Sequence, residues 1–269
     1  MALCYIHSMK IPPKKSLGQH FLRSEKAIKD IIETSHIKQN DFVLEIGPGE
    51  GVLTEALLNA GAVVEACEKD QRAYEYLEKK FIDELKDFRL ILNHMDILEV
   101  DLEKDFELKA GTYQVIANIP YYITGAIIRK FLESPMRPSA MTLLIQKEVA
   151  DRIVARDHKE SLLSLSVKAY GEAKIISRVK AGSFVPAPKV DSAIVRIEDI
   201  GPHKAWKHEE KFWEITKTAF NGKRKTLSHT IRHFFTDPEK VFEACDVDPK
   251  ERPENVSLHK WISLARHVA

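Results

Sequence analysis

The apolar positions of the chain form short runs, separated by longer stretches with a helical repeat. Five such runs, FVLEIG, AVVEAC, RLILN, YQVIAN and MTLLIQ, follow one another between residues 42 and 146. Apolar side chains recur at helical spacing in the segments 24–37, 52–59, 72–85, 124–133 and 147–156. The first segment opens with Ser24, a residue type that caps helix N-termini. Strands alternating with helices predict parallel strands joined by crossover helices that cover both faces of one sheet.

The pattern changes after residue 172. Two strand-like segments, AKIISRV and VDSAIVRIE, are separated by a proline-rich loop rather than by a helix, which predicts an antiparallel pair at the end of the sheet. A polar linker with Gly201 and Pro202 follows, and the remaining chain carries only helical patterns. The sequence therefore predicts an α/β domain over residues 1–201, with a mostly parallel sheet, and a small all-α C-terminal domain over residues 202–269.

Composition excludes several classes of protein. The chain has 269 residues, of which 44% are hydrophobic and 30% are charged, so its core needs no disulfide or metal for support. Cys4, Cys67 and Cys245 lack the paired spacing of a disulfide framework or a zinc site. His229 and His233 lie four residues apart, but they lack the acid and the third ligand of a zinc motif. No apolar run approaches the roughly 20 residues that span a bilayer, and no targeting segment is evident. We expect a cytoplasmic protein with no membrane contact and no metal.

The net charge of +1 hides a strong asymmetry. Residues 40–117 contain 18 acidic and 8 basic side chains, so the rest of the chain is basic. Its positive charge includes the N-terminal Lys14 and Lys15 and the later triplet Lys223, Arg224 and Lys225. A polyanion would be repelled by the first region and attracted to the others, so we consider these five cations candidate contacts to a nucleic-acid backbone. Ordinary solvated faces would show the same charges.

Candidate chemistry begins where the first strand of the parallel sheet passes into a helix. The sequence EIGPGEG at residues 45–51 places Gly47 and Gly49 in a tight turn that a ligand can approach closely. Glu68 falls at the end of the next strand, where a carboxylate can accept both hydroxyl groups of a ribose. Asp96 stands at the corresponding place after the third strand, suited to accepting from an adenine amino group. These residues predict a site for an adenosine-containing cofactor.

Two cofactors compete for this site. Nicotinamide enzymes usually carry G-x-G-x-x-G, whereas here one residue separates the second and third glycines. The alternative, S-adenosylmethionine, has no pyrophosphate to cradle, and its amino acid part would lie along the turn. The spacing favours S-adenosylmethionine.

A polar loop follows the fourth strand, at the edge where ligands bind in such sheets. It reads Asn118, Ile119, Pro120, Tyr121 and Tyr122. The side-chain oxygen of Asn118 and the carbonyl oxygen of Pro120 could each accept a hydrogen of an exocyclic amine and stabilise the positive charge that develops when the nitrogen attacks a methyl group. Tyr121 could stack on a flipped base and hold it at attack distance. The loop therefore indicates methylation of an adenine amino group.

Seven motifs in order make the chain resemble the ribosomal RNA adenine N6,N6-dimethyltransferase family, and specifically its bacterial small-subunit branch. They are SLGQHFL at 16–22, EIGPGEG at 45–51, NIPY at 118–121, QKEV at 146–149, FVPAPKVDS at 184–192, AFNGKRKT at 219–226 and RPENV at 252–256. The resemblance covers nearly the whole chain and implies a Rossmann-like class I methyltransferase sheet with a small helical RNA-binding domain. Two departures are Ile119, where the family usually has leucine, and Tyr122, where asparagine is common.

The resemblance also implies roles for individual residues. His20 and Leu22 would contact the methionine end of S-adenosylmethionine, with Gly47 along its loop, Glu68 at the ribose and Asp96 at the adenine. Asn118 would lie between cofactor and target. Phe184 would form the second face of an aromatic sandwich with Tyr121 around the target base. The triplet 223–225 would contact RNA from the helical domain.

We therefore expect a monomeric enzyme that transfers two methyl groups to N6 of each target adenosine, two adjacent ones in all, near the 3′ end of small-subunit ribosomal RNA. Its partner would be the small ribosomal subunit or its precursor. Two alternatives stay open. One is an enzyme that dimethylates an adenine of large-subunit RNA and confers antibiotic resistance. The other is an assembly factor whose binding to the ribosome matters more than its chemistry.

Overall fold

The computed structural model describes residues 11–156, 158–201, 208–222 and 224–268. The chain folds into two compact units. The first contains the described residues up to Ala150 together with Glu172–Ile200, and the second contains Asp151–Gly171 together with the described residues from Gly201 onward. The predicted boundary after residue 201 differs from this division, because the segment 151–171 groups with the C-terminal helices.

The first unit is built on a mixed seven-stranded sheet with the order β4-β3-β2-β5-β6-β9-β7. The strands of this unit are β1 (Phe21–Leu22), β2 (Phe42–Ile46), β3 (Val63–Glu68), β4 (Leu90–His94), β5 (Tyr113–Asn118), β6 (Ala140–Gln146), β7 (Glu172–Val179), β8 (Phe184–Val185) and β9 (Ser192–Glu198). Strands β2 to β6 run parallel, and β9 pairs antiparallel with both β6 and β7. The predicted mostly parallel sheet with an antiparallel end is confirmed. The short strands β1 and β8 form a separate antiparallel pair.

Helices cover this sheet, and most of them bury one apolar face against it. They are α1 (Glu25–Ser35), α2 (Val52–Asn59), α3 (Gln71–Lys80), α4 (Ile82–Lys86), α5 (Thr124–Glu133) and the start of α6 (Lys147–Ile153). The N-cap predicted at Ser24 is present, since its side chain accepts a hydrogen bond from the Ala27 amide. Ile31, Leu57 and Leu77 of three of these helices are fully buried in the same core cluster as Ile116 of the sheet.

One predicted helix over 72–85 is in fact two. The chain breaks at Phe81, whose backbone leaves the helical region with φ −113° and ψ 34°. The Phe81 side chain is buried and packs in the core of the unit. Burial of that ring, which a helical repeat alone does not reveal, accompanies the break between α3 and α4.

The second unit is all-helical. It contains α7 (Leu162–Tyr170), α8 (Glu209–Asn221), α9 (Leu227–Thr230), α10 (Pro238–Ala244) and α11 (Leu258–Ala265). The pattern analysis missed α7, because six of its nine residues are buried and no polar face marks its period. Its serines are accommodated locally: Ser161 and Ser164 form a capping box, and the Ser166 hydroxyl donates to the Leu162 carbonyl oxygen. Within this helical region, residues 225–235 form α9 and a short 3₁₀ turn, Arg232–Phe234, rather than one continuous helix.

No helix within the described ranges is long and apolar enough to cross a membrane.

Candidate active site

A cleft opens at the carboxyl edge of the parallel strands of the first unit. Its walls come from the segments 17–22, 45–49, 67–69, 95–98 and 118–123, with Val52 and Leu53 behind them. These segments include the ends of β2, β3 and β5 and the turn after β4. Ligands bind at this edge in open α/β sheets, where the strand order reverses. The sheet order reverses between β2 and β5, and the cleft lies there.

The glycine turn after β2 adopts a conformation that other residues rarely take. Gly47 and Gly49 have φ angles of 65° and 57°, in the left-handed region that disfavours any residue with a Cβ atom. A Cβ on Gly49 would lie 3.0 Å from the Phe21 ring, whereas a Cβ on Gly47 would meet nothing within 4 Å. The backbone at Gly47 therefore borders open space in the cleft, as the predicted cofactor turn requires.

Glu68 closes this turn from the neighbouring strand. Its side chain is buried, and its two carboxylate oxygens accept from the Gly49 amide at 3.0 Å and the Asp70 amide at 2.8 Å. Burial raises the pKa of Glu68, and these backbone hydrogen bonds oppose that shift. Each carboxylate oxygen has a second lone-pair direction, so the group can still accept from a ligand hydroxyl.

Asp96 lies in the turn that follows β4, and two contacts hold its carboxylate. One oxygen accepts from the Leu98 amide at 2.9 Å, and the other pairs with the ammonium of Lys69. Burial alone would raise the pKa of Asp96, but the hydrogen bonds from Lys69 and Leu98 hold it below its ordinary value. Lys69 was not among the predicted site residues. Its place directly after Glu68, at the end of β3, was the available signal.

Asn118 and His20 are joined across the cleft. The Asn118 Nδ2 atom donates to the His20 carbonyl oxygen at 3.1 Å. The His20 Nδ1 atom lies 2.7 Å from the Pro186 carbonyl oxygen, and the His20 ring stacks on Tyr121 with ring centroids 5.7 Å apart. The family resemblance implies that His20 contacts the methionine end of the cofactor. The structure adds that the His20 ring lies against Tyr121.

Both the backbone and the hydroxyl of Tyr121 are held in place. It begins the 3₁₀ turn Tyr121–Ile123, and its hydroxyl lies 2.6 Å from the Ser192 Oγ atom on β9. Burial raises the pKa of Tyr121, against the effect of the Ser192 hydrogen bond. The Pro120 carbonyl oxygen accepts from the Ile123 amide at 3.2 Å, which leaves its second lone pair. Ser192 was also not among the predicted site residues, although it ends the FVPAPKVDS motif.

Phe184 lies apart from the cleft walls. It is 2% exposed and belongs to the core cluster of the first unit, where its backbone pairs with Leu22. Leu22 belongs to this cluster and to the cleft wall as well. The structure therefore brings together eight predicted residues (His20, Leu22, Gly47, Glu68, Asp96, Asn118, Pro120 and Tyr121) and does not bring Phe184 to the same wall.

The predicted RNA contacts are on the surface wherever the structure describes them. Lys14 and Lys15 are exposed beside the 3₁₀ turn Lys15–Leu17 of the first unit, and Arg224 and Lys225 are exposed in the second. Lys223 lies outside the described residues. No group of three or more His, Cys, Asp or Glu side chains in the described part of the chain could hold a metal ion.

Sheet order, turn and cleft together define a class I methyltransferase, and two solved structures share the fold at 26% identity. A 23S rRNA methyltransferase, ErmE, matches with a TM-score of 0.70 over 92% of this chain and 99% of its own. A dimethyladenosine transferase from Plasmodium falciparum matches with a TM-score of 0.75 over 91% and 96%.

Sequence relatives narrow the class to a family. Proteins named ribosomal RNA small subunit methyltransferase A from Dehalococcoides mccartyi and Lactobacillus helveticus are 37% and 36% identical to this chain, over 95% and 96% of it and 88% and 92% of their own lengths. The family model for ribosomal RNA adenine dimethylases matches residues 12–269. The chain belongs to the ribosomal RNA adenine dimethylase family.

Proposed function

We propose that this protein transfers methyl groups from S-adenosylmethionine to N6 of adenosines near the 3′ end of small-subunit ribosomal RNA. Two methyl groups are added to each base, on two adjacent adenosines. Family membership implies a methyl donor and an rRNA substrate. The proposal adds which donor, S-adenosylmethionine, and which RNA, that of the small subunit. Its main structural support is the orientation of the Asn118 amide beside the anchored ring of Tyr121.

The residues of the glycine turn fit S-adenosylmethionine. Gly47 leaves open space for the amino acid part, Glu68 offers acceptors for the ribose hydroxyls, and Asp96 offers one for the adenine amino group. Leu22 and His20 complete the wall at the methionine end. When bound there, the donor supplies a methyl group on a positively charged sulfur. One Asp96 oxygen already pairs with Lys69 and the other accepts from Leu98, so the adenine amino group would use a remaining lone pair of the carboxylate.

The hydrogen bond from Asn118 decides which atom of its amide faces the target. A carbonyl oxygen can only accept, so the atom that meets the His20 carbonyl must be Nδ2. Oδ1 is then the acceptor for an incoming amine. Together with the second lone pair of the Pro120 carbonyl, it can bind both hydrogens of an adenine amino group. These dipoles stabilise the positive charge that grows on N6 as its lone pair attacks the methyl carbon.

The target base would stack on Tyr121, whose ring is held by Ser192 on one side and touched by His20 on the other. A stacked base places N6 near the attack distance of roughly 3–3.5 Å. Phe184 is the proposed second stacking partner of the base, provided that its ring can move. Because Phe184 is buried in the core, it would have to leave that position to reach a base.

Small-subunit RNA is favoured over large-subunit RNA by the relatives. The curated relatives of 36–37% identity are named for the small subunit, whereas ErmE, named for 23S rRNA, is 26% identical. We propose that the protein acts as a monomer on the small ribosomal subunit or its precursor, in the cytoplasm where ribosomes assemble. An assembly role through binding alone remains the second candidate, since Lys14, Lys15 and the 223–225 triplet would serve either role.

Transfer of labelled methyl groups tests the proposal. Small ribosomal particles that lack the modification are offered in parallel with large-subunit RNA, and the labelled nucleoside is identified. We expect dimethyladenosine in small-subunit RNA only. Label in large-subunit RNA would assign the protein to the resistance enzymes. Binding of the donor with no label in either RNA would support the assembly factor.

A further inference from the structure

Glu45 is a buried carboxyl group on the floor of the cleft. It is the fourth residue of β2, is 1% exposed, and lines the cleft below the glycine turn. Its Oε2 atom is buried and has no hydrogen-bond partner among the residues that the structure describes. The Thr54 hydroxyl on α2, also buried, shares this property. A buried carboxyl group without a full set of partners is costly in its ionised form.

Few charges surround Glu45. Burial raises its pKa to about 8, against a lowering effect of the nearby Thr54 hydroxyl; Glu68 on β3 raises it further, and Lys80 on α3 lowers it. Lys80 is itself held elsewhere, since its ammonium donates to the Gly51 carbonyl oxygen at 3.1 Å and pairs with Glu55 at 2.9 Å. At neutral pH the free protein therefore holds Glu45 mostly in its protonated form.

The register of the sheet places Glu45 just below the proposed point of methyl transfer. Glu45 pairs with Ile116 on β5, two residues before Asn118. Two residues of a strand rise by about 7 Å. A charge at the level of Asn118 therefore lies within reach of an ionised Glu45 through a water-poor part of the protein, where screening is weak.

We propose that Glu45 distinguishes the methylated donor, which is a sulfonium cation, from the demethylated product, which is a neutral thioether. Its carboxyl group keeps its proton in the free protein and in the product complex, and it releases that proton to solvent when the sulfonium binds. The inference rests on the proposed function, because it requires S-adenosylmethionine in this cleft. Product and donor share every other charge, so the sulfonium alone sets the difference.

The pH dependence follows from the sign of this linkage. A cation lowers the pKa of Glu45 in the donor complex below its value in the free protein, so donor affinity increases as pH rises toward about 8 and levels off above it. Product binding brings the same ammonium and carboxylate of the amino acid part, whose opposite charges largely offset each other, but no sulfonium, so its affinity gains little over that range. For a shift of one pKa unit, we expect the preference for donor over product to increase about fivefold between pH 6 and pH 8 and to approach the full factor of ten above that range.

Calorimetry measures the proton directly. S-adenosylmethionine and its demethylated product are titrated into the full chain at pH 7, in two buffers with different ionisation enthalpies. For a shift of one pKa unit we expect roughly half a proton released with the donor at this pH, and little with the product. Glu45→Gln, which keeps the shape and removes the ionisation, should abolish the release and flatten the preference with pH.

Glu65 supplies the matched control. It is also buried, burial also raises its pKa, and it sits on the neighbouring strand with Asn93 as its partner, away from the cleft walls. Glu65→Gln should behave like the unmodified protein. Donor binding without proton release, or release that survives Glu45→Gln, would overturn the inference while leaving the proposed function intact. Failure of both compounds to bind would overturn the proposed function instead.

Discussion

The Asn118 amide, which lines the cleft, donates from Nδ2 to the His20 carbonyl oxygen 3.1 Å away, and this contact leaves Oδ1 as its acceptor. His20 belongs to the N-terminal segment 16–22, which is tied to the first unit a second time where the Gln19 side chain donates to Asp70 at 2.8 Å. A residue 98 positions earlier in the chain thus orients the group that we propose to bind the target amine. Under the proposed function, the N-terminal segment would orient the acceptor for the target amine as well as contact the donor.

Replacing Asn118 by alanine removes the proposed acceptor. We expect Asn118→Ala to lower the rate of methyl transfer more than tenfold, because one dipole aimed at developing charge is worth at least that much, and to leave binding to ribosomal particles nearly unchanged. Single-turnover transfer and particle binding are measured on the same preparation. Asn93→Ala, which removes an amide bonded to Glu65 away from the cleft walls, is the control. Equal loss of transfer and binding in Asn118→Ala would contradict the assigned role.

The hydroxyl of Tyr121 and that of Ser192 should act as one unit. Tyr121→Phe and Ser192→Ala each remove the same 2.6 Å hydrogen bond and keep the ring, so we expect each to reduce transfer by a similar, few-fold factor. The double variant should be no worse than either single one, as for residues that share one interaction. Tyr121→Ala also removes the stacking surface and should cost more than tenfold. Additive losses in the double variant would show that the two hydroxyls serve separate purposes.

Alanine substitutions at two glycines of the cofactor turn distinguish the cost of backbone strain from the effect on donor binding. Gly47→Ala places a Cβ in open space at φ 65°, so the left-handed backbone costs about 1–2 kcal/mol of unfolding free energy, and the new methyl group obstructs the donor. Gly51→Ala has the same backbone cost at φ 71°, and its Cβ would also lie 2.5 Å from Phe81. Urea unfolding should find Gly51→Ala the less stable of the two. Calorimetry with S-adenosylmethionine should find that Gly47→Ala loses more donor affinity than its loss of unfolding free energy accounts for.

Charge reversal across residues 223–225 tests the RNA contact of the helical unit. Replacing the three cations by glutamate should weaken RNA binding and reduce its dependence on salt, because fewer counterions are released from the phosphates. Lys240, an exposed cation of α10 paired with Asp237, provides a control charge reversal in the same unit. If the triplet variant binds RNA with an unchanged salt slope, the triplet is a solvated surface.

Much of the fold could be predicted because its elements carry simple patterns. The apolar runs that become β2, β3, β5 and β6 are nearly continuous, as expected for strands buried on both faces, and the Ser24 cap is a local feature. The errors have physical causes. Helix α7 is buried on most sides and so lacks a polar face, and the segment 72–85 keeps its helical repeat across a break that depends on the burial of Phe81.

The sequence predicts which residues of the candidate site lie at strand ends, but it does not predict which atoms of those residues contact one another. Glu68, Asp96 and Asn118 follow strand ends, and parallel strands bring such residues to one edge. Which amide atom of Asn118 faces the cleft depends on His20, and the partner of Asp96 is Lys69. Phe184 is in a motif of the family, but its burial in the core depends on packing with residues far away in the chain. Such choices are made by tertiary contacts, which spacing does not record.

The order of strands divides the proposed contacts between two stretches of chain. The turn after β2, the end of β3 and the turn after β4, which carry the proposed loop, ribose and adenine contacts to the donor, come from one continuous stretch of chain. The proposed base contacts, Tyr121 after β5 and Ser192 of β9, come from later residues. The earlier stretch lies within the acidic segment of 18 acids and 8 bases at residues 40–117, a charge that welcomes a cation and repels RNA. The acidic surface of the earlier stretch therefore favours the positively charged donor, and an RNA would have to approach the cleft from the later strands or the N-terminal segment.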